Sequence, residues 1–192
     1  MEAVPEMRVL DAAEKLLYGR GLQAVGMDAI RNESGVSLKR LYQLFPSKER
    51  LVEAYLRRRD VRWRASLAGY VDARPAEENR ILAVFDWLES WFEEPDFRGC
   101  AFVNSFGELG ATSEGVASAA RDHADALKRY LAGLVDAEGH AAWLPEPLFL
   151  LMEGAITTAA ISGSSAPAGQ AREAARRLLD ADEVADDEVK AP

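Results

Sequence analysis

A single cysteine, Cys100, and two histidines are the whole stock of classical soft or switchable ligands in 192 residues. One thiol cannot close an intramolecular disulfide, which makes a reducing cytoplasm the expected compartment. No His/Cys/carboxylate cluster has metal-ligand spacing, so neither a structural nor a catalytic metal is expected. Strand patterns are missing, and with them any glycine-rich phosphate loop following a strand; no cofactor is expected. No apolar run approaches the ~20 residues of a membrane span, and the N-terminus lacks the basic-then-apolar layout of a secretion signal. Membrane and secreted classes are therefore not expected.

What is present is a large apolar complement and a divided charge. Hydrophobic residues make up 48% of the chain, enough for a substantial core. The net charge of −9 is uneven: residues 1–64 hold 13 Lys/Arg against 9 Asp/Glu, leaving 10 against 23 for the remainder. A basic segment on an acidic body suits local attraction to phosphate, because exposed charges are screened beyond about 8–10 Å at physiological salt.

The basic segment contains the most informative stretch, Gly35 to Lys48. Gly35 can close a preceding helix in the left-handed conformation, Ser37 is a good N-cap, and Pro46 ends the short helix that follows. Upstream, Val9, Leu10, Ala13, Leu16 and Leu17 recur at helical spacing until Gly19-Arg20-Gly21, and Met27 to Ser34 predicts a second short helix. Helix, short helix, glycine turn, short helix is a helix-turn-helix arrangement, whose last helix lies in the DNA major groove. Val36, Leu41 and Phe45 are expected in the core. Ser37, Leu38, Lys39, Arg40, Gln43 and Leu44 are then left more exposed.

Residues 5–55 resemble the DNA-binding domain of the TetR family of bacterial transcriptional regulators. The resemblance is carried by Gly21-Leu22, Met27-Asp28-Ala29-Ile30, Gly35-Val36-Ser37, Leu41-Tyr42, Phe45, Ser47-Lys48-Glu49 and Leu51, in order. It implies an all-α chain: a three-helix helix-turn-helix domain over 1–50, a larger helical ligand-binding and dimerisation domain over 51–180, and an acidic, disordered tail over 181–192. The implied function is a homodimeric, non-enzymatic regulator that binds a palindromic operator in double-stranded DNA. It would act as a repressor released by a small apolar or aromatic effector. Arg40 or Lys39 can donate to guanine O6 and N7, and Leu38 can meet a thymine methyl. By resemblance Tyr42 and Lys48 contact phosphates, and a lysine in a first helical turn opposes the macrodipole unless an anion is brought there. The DNA-facing set is thus Ser37, Leu38, Lys39, Arg40, Tyr42, Gln43 and Lys48. Val25-Gly26 departs from the family's Thr-Ser pair and offers no side-chain oxygen. Lys39 replaces a frequent glycine, and Leu44 a common polar residue.

Further helices are expected over 47–68, 77–94, 98–109, 114–138 and 170–179, and one opened by Pro145 and Pro147 that runs to Ile161, with a flexible link over 162–169. Arg57 to Arg62 reads as a solvated face. The last two helices are assigned to the dimer contact, where two from each subunit make a four-helix bundle. Trp87, Trp91, Phe102, Phe106, His123, Trp143, Phe149 and Met152 are candidates for an effector pocket, although aromatic residues at helical spacing also describe plain core. His123 reads as a ligand contact or as a satisfied core histidine. Glu153, within an apolar helix, needs a partner across the dimer, a cationic ligand or solvent. Cys100 reads as an oxidation sensor or as a small buried hydrophobe. Two other readings remain: control by a protein partner or by Cys100 oxidation, and a small enzyme built on Cys100 and His123, for which no third orienting group is evident.

Overall fold

A computed structural model describes residues 4–75 and 78–190, without the side chains of 183–190. Among them are nine helices and no strand. Pro5 opens α1 (Pro5–Arg20), where its missing N–H costs nothing, and Val9, Leu10, Ala13, Leu16 and Leu17 are buried along one face. Gly21, at φ +87°, ends the helix. The second helix, α2 (Met27–Ser34), has Gly26 as its N-cap and no side-chain hydrogen bond there. Its far end is closed by Gly35 in the left-handed region, φ +63°. Arg8 of α1 donates from Nε and Nη2 to the Ser34 carbonyl at 3.0 and 2.6 Å, and a Cβ on Gly35 would lie 2.7 Å from that guanidinium. The left-handed conformation favours glycine, and any larger residue would also have to move the Arg8 guanidinium from its place on Ser34.

The short helix α3 spans Leu38–Leu44. Ser37 Oγ accepts the Arg40 N–H at 3.3 Å, and Phe45, preceding Pro46, turns extended at φ −132°. Leu41 is fully buried; truncating it to alanine would cost about 2–5 kcal/mol. The helix is held by its packing, not by its two turns.

Next come α4 (Lys48–Asp72), α5 (Arg80–Phe92), α6 (Ala101–Leu109), α7 (Glu114–Ala137), α8 (Pro145–Ser162) and α9 (Ala166–Lys190). Several differ from expectation. The fourth passes Ala68 because the lone Gly69 is tolerated in a helix that Val71, fully buried, still anchors. The fifth begins after Asn79, whose Oδ1 accepts the Leu82 N–H at 2.8 Å; the expected start, Glu77, lies outside the described residues. The last is longer at both ends than the expected 170–179. Pro167 suits a first turn, which reduces the link to residues 163–165, and no glycine or proline interrupts the chain between Gly169 and Pro192. Residues 181–190 are helical where a disordered tail was expected; 191 and 192 lie outside the described residues.

The chain divides into two compact units, Met1–Trp63 with Ala101–His123, and Arg64–Cys100 with Ala124–Pro192. The divisions fall inside α4, just before α6 and inside α7, whereas the sequence reading places its boundaries after residues 50 and 180.

In the first unit Val9, Ala13, Ile30, Leu41, Leu51, Val52, Leu56 and Val116 are fully buried. The expected solvated run Arg57 to Arg62 is instead paired. Arg58 donates to Asp11 and Glu14 at 2.8 Å each, Arg59 and Arg62 to Glu14 at 3.0 Å, and Arg57 to Asp122. The sequence reading missed that Asp11 and Glu14 form a matching acidic stripe on α1. Arg59 also lies 3.9 Å over the Tyr18 ring.

In the second unit α5 and α8 both pack on α9 and on each other. Residues Ile81, Ala83, Val84, Phe85, Trp87, Leu88, Trp91 and Phe92 of α5 are buried, as its nearly all-round apolar pattern predicts. Helix α8 was expected to be buried on several sides. Within the single chain it buries one, through Leu148, Met152, Ala155, Ile156 and Ala159, while Leu150 and Ile161 are 67% and 83% exposed.

Candidate nucleic-acid interface

The outer face of α3 is built by exclusion. Because Leu41 is taken by the core and Phe45 by the exit turn, Leu38, Lys39, Arg40, Tyr42 and Gln43 point outward, with Ser37 exposed at the cap and Leu44 half-buried. Leu38 is 40% and Tyr42 46% exposed, large values for side chains of their hydrophobicity. Arg40 Nη1 reaches Gln43 Oε1 at 3.5 Å, one helical turn on. Ser47 Oγ accepts the Arg50 N–H at 3.3 Å and so caps α4, placing the half-buried Lys48 at its first position. The Ser47 hydroxyl also holds the Glu49 carboxyl below its usual range. All seven expected DNA-facing residues therefore lie on one short segment, cap to cap. The arrangement offers two cations and an amide for base edges, and a phenol and an ammonium for phosphates.

The eight expected effector-pocket residues are distributed differently. Phe102, Phe106 and His123 belong to the first unit, the other five to the second. Phe102 stacks on His123 at 3.7 Å between ring centroids, and Trp63 meets the same imidazole edge-on at 5.5 Å. His123 Nδ1 lies 2.7 Å from Asp60 Oδ1; a carboxylate only accepts, so Nδ1 carries the proton when Asp60 is ionised. That supplies the orienting group which the sequence did not reveal. Phe106 is half exposed. In the second unit Trp87 stacks on Trp91 at 5.6 Å, and Trp91 meets Phe97 edge-on at 4.9 Å. Met152 is fully buried, Trp143 is 53% exposed, and Phe149 carries the Lys128 ammonium 5.1 Å above its ring.

Among the other singled-out groups, Cys100 is buried. Glu153 is half-buried on α8, and burial pushes its carboxyl up to about 6. No group of three or more His, Cys, Asp or Glu among the described residues can hold a metal ion, and no described helix is long and apolar enough to cross a membrane.

A cavity of about 450 Å³ opens in the first unit between the end of α1, Tyr55 of α4, and α6. None of the eight expected pocket residues lines it. Glu108, at its edge, accepts the Leu22 N–H on Oε1 at 2.9 Å and the Gln23 N–H on Oε2 at 2.8 Å. The Gln23 side chain returns a bond to the Glu108 carbonyl at 3.3 Å. One signal was available in the sequence: a carboxylate, Glu108, within the apolar segment 99–109.

Residues 9–55 match the family model for bacterial regulatory proteins, tetR family. No curated protein matches the chain. Among solved structures, a tetR-class transcriptional regulator from Streptomyces avermitilis is 29% identical, with 94% of this chain and 99% of that one covered at a TM-score of 0.79. A TetR-family transcriptional regulator from Streptomyces coelicolor is 25% identical, with 93% and 95% covered and a TM-score of 0.84. A TetR transcriptional regulator from Chloroflexus aurantiacus, 23% identical with 92% and 94% covered, shares the fold at a TM-score of 0.78.

Proposed function

The chain is a DNA-binding transcriptional regulator of the TetR family, and from that premise we propose that it is a cytoplasmic, ligand-responsive repressor that binds a palindromic operator as a homodimer. The observation that carries the DNA half is the outer face of α3, where Lys39, Arg40 and Gln43 stand exposed on a helix whose inner side is locked by Leu41. Arg40 reads guanine, Leu38 a thymine methyl, and Tyr42 and Lys48 clamp phosphates to fix register.

Two reading heads joined rigidly bind two half-sites about 34 Å apart, or a multiple of that. Support for the homodimer comes from α8, whose exposed Leu150, Gly154, Thr157 and Ile161 recur at helical spacing and combine apolar surface with small residues that permit close approach. With α9 beside it, a second copy completes a four-helix bundle.

Residues 1–50 are then the DNA-binding domain and 51–180 the ligand-binding and dimerisation domain. A small apolar or aromatic effector shifts the dimer toward a form whose heads are wrongly spaced. It does so through its differential affinity for the two forms, and a coupling of about 1–3 kcal/mol is ordinary. Asp60 gives His123 the orienting group that an enzyme would need, but Phe102 stacks on the imidazole and the similar structures are of transcriptional regulators, so the regulator reading is preferred.

The test is selection of bound duplexes from a random DNA pool, with the wild type and with Arg40→Ala. A two-fold symmetric site should emerge, and the variant should bind it about 5- to 150-fold more weakly, with relaxed choice at one position per half-site. Enrichment of no sequence at low salt, or the same site recovered equally well by the variant, overturns the docking of α3.

A further inference from the structure

We propose that the cavity between the end of α1, Tyr55 and α6 is a binding site for a small aromatic cation, with the Glu108 carboxylate receiving the cationic head. Its volume, about 450 Å³, lies within the range of small-molecule sites. Val103, half exposed, and the edges of the nearly buried Leu17, Leu22 and Tyr55 line its apolar side, while Asn104 and Glu108 on the α6 side give the polar end. An apolar body with a few convergent polar groups is the composition that orients one end of a ligand.

The charge of the ligand follows from Glu108. Its oxygens each accept one backbone N–H, from Leu22 and from Gln23, and neither bond brings a full positive charge. A carboxylate can accept about four bonds, so each oxygen can take one more. A planar amidinium or guanidinium presents two parallel N–H groups in the fork that matches a carboxylate, and a charge-assisted pair of that kind is roughly twice as strong as a neutral one. An anionic ligand would meet Glu108 as a like charge.

The site has a consequence for the reading head. The two N–H groups that Glu108 holds belong to the residues directly after Gly21, where α1 ends. A cation that draws the carboxylate toward the cavity weakens its hold on Leu22 and Gln23. This second step rests on the proposal that the chain is ligand-controlled; occupancy of the cavity does not.

The probes are 2-naphthamidine and its neutral counterpart 2-naphthamide, titrated by calorimetry into the full-length wild type, Glu108→Gln and Gly107→Trp. Gly107 lines the cavity and is exposed, and a Cβ placed there meets no atom within 4 Å, so a larger side chain can be rooted at the cavity wall without a clash at its base. Circular dichroism checks that both variants stay helical. The amidine should bind the wild type at least about tenfold more tightly than the amide. That preference should collapse in Glu108→Gln, and Gly107→Trp should abolish binding of both. Amidine binding left intact in folded Gly107→Trp, an unchanged preference in Glu108→Gln, or no binding to the wild type at millimolar concentration overturns the site. Operator affinity measured with and without the amidine separates the two steps: the expected pattern of binding, with no change in operator affinity on adding the amidine, supports the site and counts against ligand control.

Discussion

Helices α3 and α8 each turn one face into the protein and one outward, but the outward faces are chemically opposite. On α3 the outer residues are Lys39, Arg40, Tyr42 and Gln43; on α8 they are Leu150, Gly154, Thr157 and Ile161. A cationic, hydrogen-bonding face suits a charged partner that stays hydrated at its rim. A face of exposed leucine and isoleucine beside glycine and threonine suits a partner that removes water and packs closely. The contrast also extends to support. Leucine and phenylalanine anchors, a serine cap and an arginine from α1 fix the α3 segment, so its side chains are presented by a prearranged backbone. Helix α8 has its inner anchors too, but Leu150 and Ile161 on its outer face are exposed.

The largest effect should come from breaking the α8 face. The double change Leu150→Asp with Ile161→Asp places two carboxylates where apolar contact is proposed and alters no residue of α3. Sedimentation should move from dimer to monomer, and operator affinity should fall by about 10²- to 10⁴-fold, because joined heads gain that much over separate ones. A variant that stays dimeric and keeps its operator would remove α8 from the interface.

The next effect sharpens the role of α3's neighbour. In the proposed docking Lys48→Ala removes one phosphate contact and no base contact, so it should weaken binding to all duplexes by a similar factor, and reduce the slope of log K against log salt by about 1. A loss confined to the selected operator would show that Lys48 reads sequence.

The two faces were not equally legible in the sequence. Gly35, Ser37 and Pro46 carry backbone information, each constraining the local chain whatever else surrounds it, so α2 is legible at about Met27 to Ser34 and α3 between its Ser37 cap and Pro46. The outer face of α3 followed by subtraction once Leu41 and Phe45 were assigned inward. The aromatic residues of the body carry no such constraint. Trp87 and Phe102 both read as apolar on a helix, yet one is in a tryptophan stack with Trp91 and the other against His123 in a different unit. Periodicity says that a residue faces inward, not which neighbour it finds there. The pairing of Arg58 with Glu14, and of Glu108 with the N–H groups of Leu22 and Gln23, joins residues 44 and more than 80 positions apart. Local pattern is silent at such separations. Helix ends failed for a related reason: residues 180–190 are acidic, which suggests a tail, but nothing in them breaks a helix.

Glu153 gives the smallest effect and bears on the edge of the α8 face. Its carboxyl lies half-buried beside the exposed stripe, and burial alone raises it from 4.5 to about 6. The group binds its proton more tightly in the folded chain than in the unfolded one. Between about pH 4.5 and 6 the folded state therefore holds more protons, and stability falls as pH rises through that window. Above it the ionised carboxylate costs on the order of 2 kcal/mol, because a tenfold difference in proton affinity between the two states corresponds to about 1.4 kcal/mol. Glu153→Gln keeps the shape and removes the charge. It should raise the melting temperature at pH 8 by several degrees, with little change at pH 4, where both states are protonated. The opposite sign, a loss of stability at pH 8, would mean that the carboxylate is paired in the assembled protein, and would place a cation of the second copy against this edge of α8.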